Sequence, residues 1–132
     1  MTGPGFQFKA PADWPVTRAP GRVAAGTGDE LVQVATFNLL KPYSSDLFGK
    51  VQKELTQRMT TVAGQTGGRL AGSETVKAGG VRSHSYRVEN KDRVDQYTFV
   101  LRGRREYQLL CRRAASTGDE TCRQLIQSFA FA

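Results

Sequence analysis

The chain has 132 residues, 39% of them hydrophobic and 23% charged, with a formal net charge of +7 and a pI near 9.9. This length makes one domain, residues 1–132, able to bury roughly two thirds of the surface its unfolded form exposes, and the composition excludes a disordered chain. No apolar run approaches the ~18 residues of a spanning helix, and the basic balance favours anionic partners (nucleic acid, an acidic membrane surface, an acidic protein face) without selecting one.

Met1-Thr2-Gly3-Pro4 is expected to lie outside the ordered domain, and the opening shows neither the charged n-region nor the apolar h-region of a signal peptide. Gly5-Phe6-Gln7-Phe8-Lys9 alternates apolar and polar residues until Pro11 to Pro15 stops it, which reads as a short strand and a turn. A second, weaker strand fits 21–28 through Val23, and a clear one fits 31–40, where Val32, Val34, Thr36 and Phe37 favour extended backbone and Pro42 ends the run.

Ser44, Ser45 and Asp46 then offer N-caps, and Leu47, Val51, Leu55, Met59 and Val62 recur at about four-residue spacing. The pattern predicts a helix over about 45–63, with Gly64 as its left-handed C′ residue. The glycine-rich loop 64–68 lacks the Gly-Lys-Ser/Thr ending of a phosphate loop and follows a helix, so it reads as a connection.

From Leu70 to Arg113, breaks at 78–80, 90–92 and 102–104 divide the chain into a four-strand antiparallel meander. Period-two reading puts His84, Tyr86 and Val88, then Tyr97, Phe99 and Leu101, then Tyr107, Leu109 and Cys111 on one aromatic face. Ser83, Ser85, Arg87, Gln96, Thr98, Glu106, Gln108 and Arg112 fall on the other. A three-residue loop at Arg102-Gly103-Arg104 is expected to hold that register, with Phe99 opposite Tyr107, Tyr97 opposite Leu109, and Gly103 or a neighbour at positive φ. A second helix over about 118–129 closes the chain, with Thr117 and Glu120 at capping-box spacing and Cys122, Leu125, Ile126 and Phe129 as its apolar stripe.

Little catalytic chemistry is legible. His84 is the only histidine and falls on the aromatic face, as a hydrogen-bonded core histidine would. No Gly-x-Ser-x-Gly elbow is present, and two cysteines with one histidine leave a zinc site one ligand short. No cofactor or metal is expected. The aromatic face beside a basic rim has the ingredients of a single-strand stacking platform. It is also the one strongly apolar surface on which the helices could pack, which weighs against nucleic acid.

Cys111 and Cys122, the only cysteines, both point into the layer between the last strand and the last helix. A disulfide is the favoured reading, with two buried free thiols as the alternative and redox or metal use a distant third.

Gly5-Phe6-Gln7-Phe8, Pro11 and Trp14, with the ending Ser128-Phe129-Ala130-Phe131, resemble the Gly-Phe-x-Phe-x-x-Pro-x-x-Trp opening and Ser-Phe-x-Phe ending of the PsbP-like superfamily. That superfamily includes bacterial envelope lipoproteins of the LpqN and DcrB type and a eukaryotic Ran-binding nuclear import factor. Asp13 stands where the family often has glycine, and no photosystem-binding extension is visible. The resemblance implies an α+β fold, an antiparallel sheet of about six or seven strands in an α/β/α sandwich, and a non-enzymatic extracytoplasmic accessory role in a bacterial periplasm or cell envelope. It supplies no catalytic residues.

The expected activity is protein–protein contact, with Arg87, Arg102, Arg104, Arg105, Arg112 and Arg113 as candidate partner-binding residues and a protein or other anionic surface as partner. Membrane association is expected only through an anchor preceding Met1. The alternatives are a small-ligand carrier with a pocket between helix and sheet, and a basic nucleic-acid-binding regulator.

Overall fold

The computed structural model describes every residue from Met1 to Ala132. In chain order the strands are β1 (Thr2–Gly3), β2 (Phe6–Gln7), β3 (Val16–Ala19), β4 (Arg22–Thr27) and β5 (Glu30–Asn38). A 3₁₀ turn (Ser45–Leu47) leads into helix α1 (Phe48–Gln65). The meander is β6 (Arg69–Ala78), β7 (Val81–Glu89), β8 (Arg93–Arg102) and β9 (Arg105–Ala114), followed by α2 (Glu120–Ser128) and β10 (Ala130–Phe131). Seven strands make one antiparallel sheet in the order β3-β4-β5-β9-β8-β7-β6, and β1-β2-β10 make a small second sheet. The fold is α+β, with a helix on each face of the large sheet.

Several expectations change in detail. Residues 1–4 belong to the domain: Thr2 pairs with Gln7, and the Met1 ammonium donates to the Phe8 carbonyl at 2.8 Å. Strand β3 has no sequence signature, because three of its four residues are exposed and it lies at the sheet edge beside β4. Helix α1 runs through Gly64, and Gly67 is the residue at positive φ (75°). Gly68 N–H donates to Ala63 O (2.8 Å) and Gly67 N–H to Gly64 O (3.3 Å), which is the Schellman arrangement. Helix α2 begins at Glu120 after Asp119, without a side-chain cap from Thr117, and stops at Ser128, so Phe129 belongs to its C-cap rather than its last turn.

The largest difference is one of register. Arg102 pairs with Arg105, leaving a two-residue turn of Gly103 and Arg104 in which Gly103 alone has positive φ (59°). Phe99 therefore faces Gln108, and Val100 faces Tyr107. A one-residue shift exchanges the faces of a strand, so β9 presents Tyr107, Leu109 and Cys111 on the side opposite Tyr97, Phe99 and Leu101.

Two cores result. On one face, Leu55, Met59 and Ala63 of α1 pack on Tyr86, Val88 and Phe99. The Tyr86 hydroxyl bonds to Thr56 Oγ1 (3.1 Å) and donates to the Gln52 carbonyl (3.2 Å), fixing the helix over β7. On the other face, Cys122, Leu125 and Phe129 pack on Val23, Val32, Val34, Val100, Tyr107 and Leu109, with Phe6 and Phe8 closing one end. A disulfide joins Cys111 of β9 to Cys122 of α2, with Cα atoms 5.3 Å apart.

Candidate functional site

The shifted register also creates the principal cleft. On the α2 side, β9, β5 and β4 present apolar residues, whereas β7 and β8 present Ser83, Ser85, Arg87, Gln96 and Thr98. Helix α2 packs on the apolar half and reaches the β6 edge, so the polar half stays open as the floor of a cavity of about 490 Å³. Gly72 to Glu74 of β6 form one wall and Asp119, Arg123, Ile126 and Gln127 form the other; Ser85, Arg87, Gln96 and Arg113 lie between them.

Three guanidinium groups converge there from three elements. Arg87 Nε meets Glu89 at 3.2 Å, Arg123 Nε meets Asp119 at 3.2 Å, and Arg113 Nη1 donates to the Thr117 carbonyl at 2.6 Å. Each has five N–H donors, so further donors remain for carboxylate or phosphate oxygens, which a planar guanidinium can meet in pairs, while Glu89, Asp119 and the cleft-lining Glu74 offset part of the positive charge. The Arg87 guanidinium lies over Gly72, where a Cβ would meet its Nη2 at 3.4 Å, an ordinary van der Waals contact. Ser85 Oγ is held at 3.0 Å from both Thr98 Oγ1 and Gln96 Nε2, which makes the floor rigid.

The six candidate arginines divide into three groups. Arg87 and Arg113 meet at the cleft. Arg102, Arg104 and Arg105 sit at the far end of the β8–β9 hairpin, where the Arg102 guanidinium lies 4.3 Å over the Phe131 ring. Arg112, expected to share a face with Arg87, lies on the α1 side instead. It grips Asp95 through Nε (2.9 Å) and Nη2 (3.3 Å), and this hydrogen bonding raises its already high pKa. Arg93 also reaches Asp95, whose side chain is buried, at 3.4 Å. Arg112 is thus committed to neutralising a buried carboxylate, the pairing such a group requires. Sequence reasoning missed Arg123 and Asp119; their i,i+4 spacing next to Cys122, on the polar side of a short amphipathic helix, was the available signal.

His84 is buried but not in the hydrogen-bonded state expected, since its Nε2 has no partner. Its ring stacks on Phe48 with centroids 3.9 Å apart, and Arg82 lies over the same Phe48 ring at 3.9 Å. Burial first, and the Arg82 charge second, push the imidazole pKa below its ordinary 6.5. The native state therefore resists protonation while the unfolded chain does not, so stability is complete above the unfolded pKa and falls as pH drops through it. Urea midpoints should decline from neutral to mildly acidic pH, and His84→Gln should flatten that decline. An unchanged slope in the variant would assign the pH dependence elsewhere.

No family model matches the chain, and no curated protein matches it in sequence. Among solved structures, a crystal structure of a protein from Bacteroides thetaiotaomicron VPI-5482 is similar over 96% of this chain, with a TM-score of 0.65 and 12% identity. At that identity the likeness shows the fold alone. The chain spans 45% of that neighbour's length.

The buried disulfide points to an oxidising, extracytoplasmic location, where such bonds form and persist. No helix is long and apolar enough to cross a membrane.

Proposed function

We propose that this chain is a non-enzymatic binding domain of a bacterial envelope protein, PsbP-like in fold, that acts by protein–protein contact through the arginine-lined cleft. The convergence of Arg87, Arg113 and Arg123 on one cavity carries the reading, because guanidinium groups brought together from three elements favour a partner segment bearing carboxylates. Strand β6 is a sheet edge with no strand on its outer side, so its main chain can add hydrogen bonds to an extended segment. The two motifs that resemble the PsbP-like superfamily support the assignment by position: β2 and β10 pair directly, with Phe6 opposite Phe131 and Gln7 opposite Ala130. The disulfide fits a periplasmic or envelope setting.

Titration calorimetry with an extended Glu/Asp-rich peptide tests the cleft. The double variant Arg87→Glu, Arg113→Glu should bind at least about tenfold more weakly, while reversal of Arg102, Arg104 and Arg105 should leave the affinity unchanged. Equal affinity in wild type and cleft variant would remove the cleft from consideration.

A further inference from the structure

The end of the molecule away from the cleft carries an unusual combination. Leu40 is 98% exposed and Phe37 is 48% exposed; with Val16 and Leu47 they are the large apolar side chains open to solvent, and Leu47 lines the adjoining groove. They sit on and beside a loop that is fixed rather than loose. Leu39 N–H donates to Arg104 O and Tyr43 N–H to Gly103 O, both at 2.7 Å, and Arg104 Nη1 donates to Leu40 O at 3.4 Å. The exposed leucine is therefore mounted on the arginine turn of the β8–β9 hairpin. Arg102, Arg104, Arg105 and Lys41 are all exposed there, and Lys41 and Lys50 line the adjoining groove of about 250 Å³. Of the acidic groups close by, Glu106 is buried and held by Gln108 (2.7 Å) and Arg58 (3.6 Å) and Asp46 accepts from Ser44, while the exposed Glu54 lines the groove with Lys41 and Lys50. The two lysines and the three hairpin arginines still outnumber the exposed Asp46 and Glu54.

We propose that this hairpin end docks on an anionic lipid bilayer, with Leu40 entering the interface and Lys41 and the hairpin arginines meeting the headgroups. An exposed leucine ringed by cations matches the chemistry of such an interface, where apolar burial and attraction to acidic headgroups add. A protein interface would instead centre on a broad apolar patch depleted of lysine. The surface lies six pairs along the hairpin from the cleft, from Gln96–Cys111 to Arg102–Arg105. At 3.3 Å per residue that separation is about 20 Å, so a docked domain keeps its cleft open. The proposal goes beyond the cleft reading and does not depend on it.

Co-sedimentation of the full chain with vesicles tests it, comparing equimolar phosphatidylglycerol and phosphatidylcholine with phosphatidylcholine alone. Binding is expected to the first and not the second, and to weaken with added salt. Leu40→Asp should reduce the partition coefficient at least about tenfold, with an unchanged thermal melt because Leu40 has no burial to lose. Each of Arg102→Gln, Arg104→Gln and Arg105→Gln should cost up to about fivefold, the contribution of one basic residue at an acidic surface. Equal binding by Leu40→Asp, equal binding to both vesicles, or no binding would each overturn the proposal. So would vesicles left unbound by a protein whose acidic-peptide binding is lost with Leu40→Asp, which would make the hairpin end a protein contact.

Discussion

Replacing Cys111 and Cys122 together with alanine is expected to destabilise the protein by about 2–3 kcal/mol, the chain-entropy value for so short a loop. The bond closes a sequence separation of 11 residues and ties α2 to β9. The helix needs that tie more than the sheet does. It has nine residues, well below the length at which an isolated helix holds in water, and it buries only Cys122 and Leu125 of its own. Urea unfolding of the wild type should shift to lower midpoint on adding reductant, while the alanine pair should not respond. Two thiols alkylated in the native, unreduced protein would refute the expectation.

Loss of the bond should also be local before it is global. Helix α2 and its N-cap residue supply Asp119, Arg123, Ile126 and Gln127 to one side of the cleft, Asp119 being the N-cap, and β9 supplies Arg113. Amide exchange in α2 should therefore accelerate under reductant more than in β7 or β8, and the acidic-peptide affinity should fall with it. Reduction of the disulfide would in this way alter the shape of the cleft.

Much of this architecture was legible in the sequence. The four-residue recurrence from Leu47 to Val62 located α1, the evenly spaced turns located the meander, and the shared layer of Cys111 and Cys122 located the disulfide. The cleft was not legible, for one identifiable reason. Aromatic residues on β8 and β9 can be aligned on one face by assuming a three-residue loop, and that choice leaves a single apolar face. Gly103-Arg104 is instead a glycine-first pair, the sequence of a two-residue II′ hairpin turn, and it is the turn, not the apolar pattern, that determines register. With that turn, each sheet face becomes half apolar and half polar. Each helix then covers an apolar half, and polar side chains such as Arg87 and Gln96 are left to line a cavity. The edge strand β3 was missed because an exposed edge needs no alternation.

Mutational coupling distinguishes the two registers. Phe99→Ala and Tyr107→Ala should each cost about 3–5 kcal/mol as large truncations of buried aromatic residues, so the milder leucine substitutions suit double-mutant cycles in which the doubles must stay folded. Phe99 packs edge-on against Tyr86, with ring centroids 6.0 Å apart, on the α1 side. Tyr107 packs among Phe129 (5.6 Å) and Phe131 (5.3 Å) on the α2 side. The Phe99–Tyr86 cycle should show coupling of about 0.5–1.5 kcal/mol, the usual size for an aromatic pair. The Phe99–Tyr107 cycle should be additive to within about 0.5 kcal/mol, because the two rings share no partner. Strong Phe99–Tyr107 coupling would place both rings on one face and restore the three-residue turn. The polar half-face, and the cleft built on it, would then be lost.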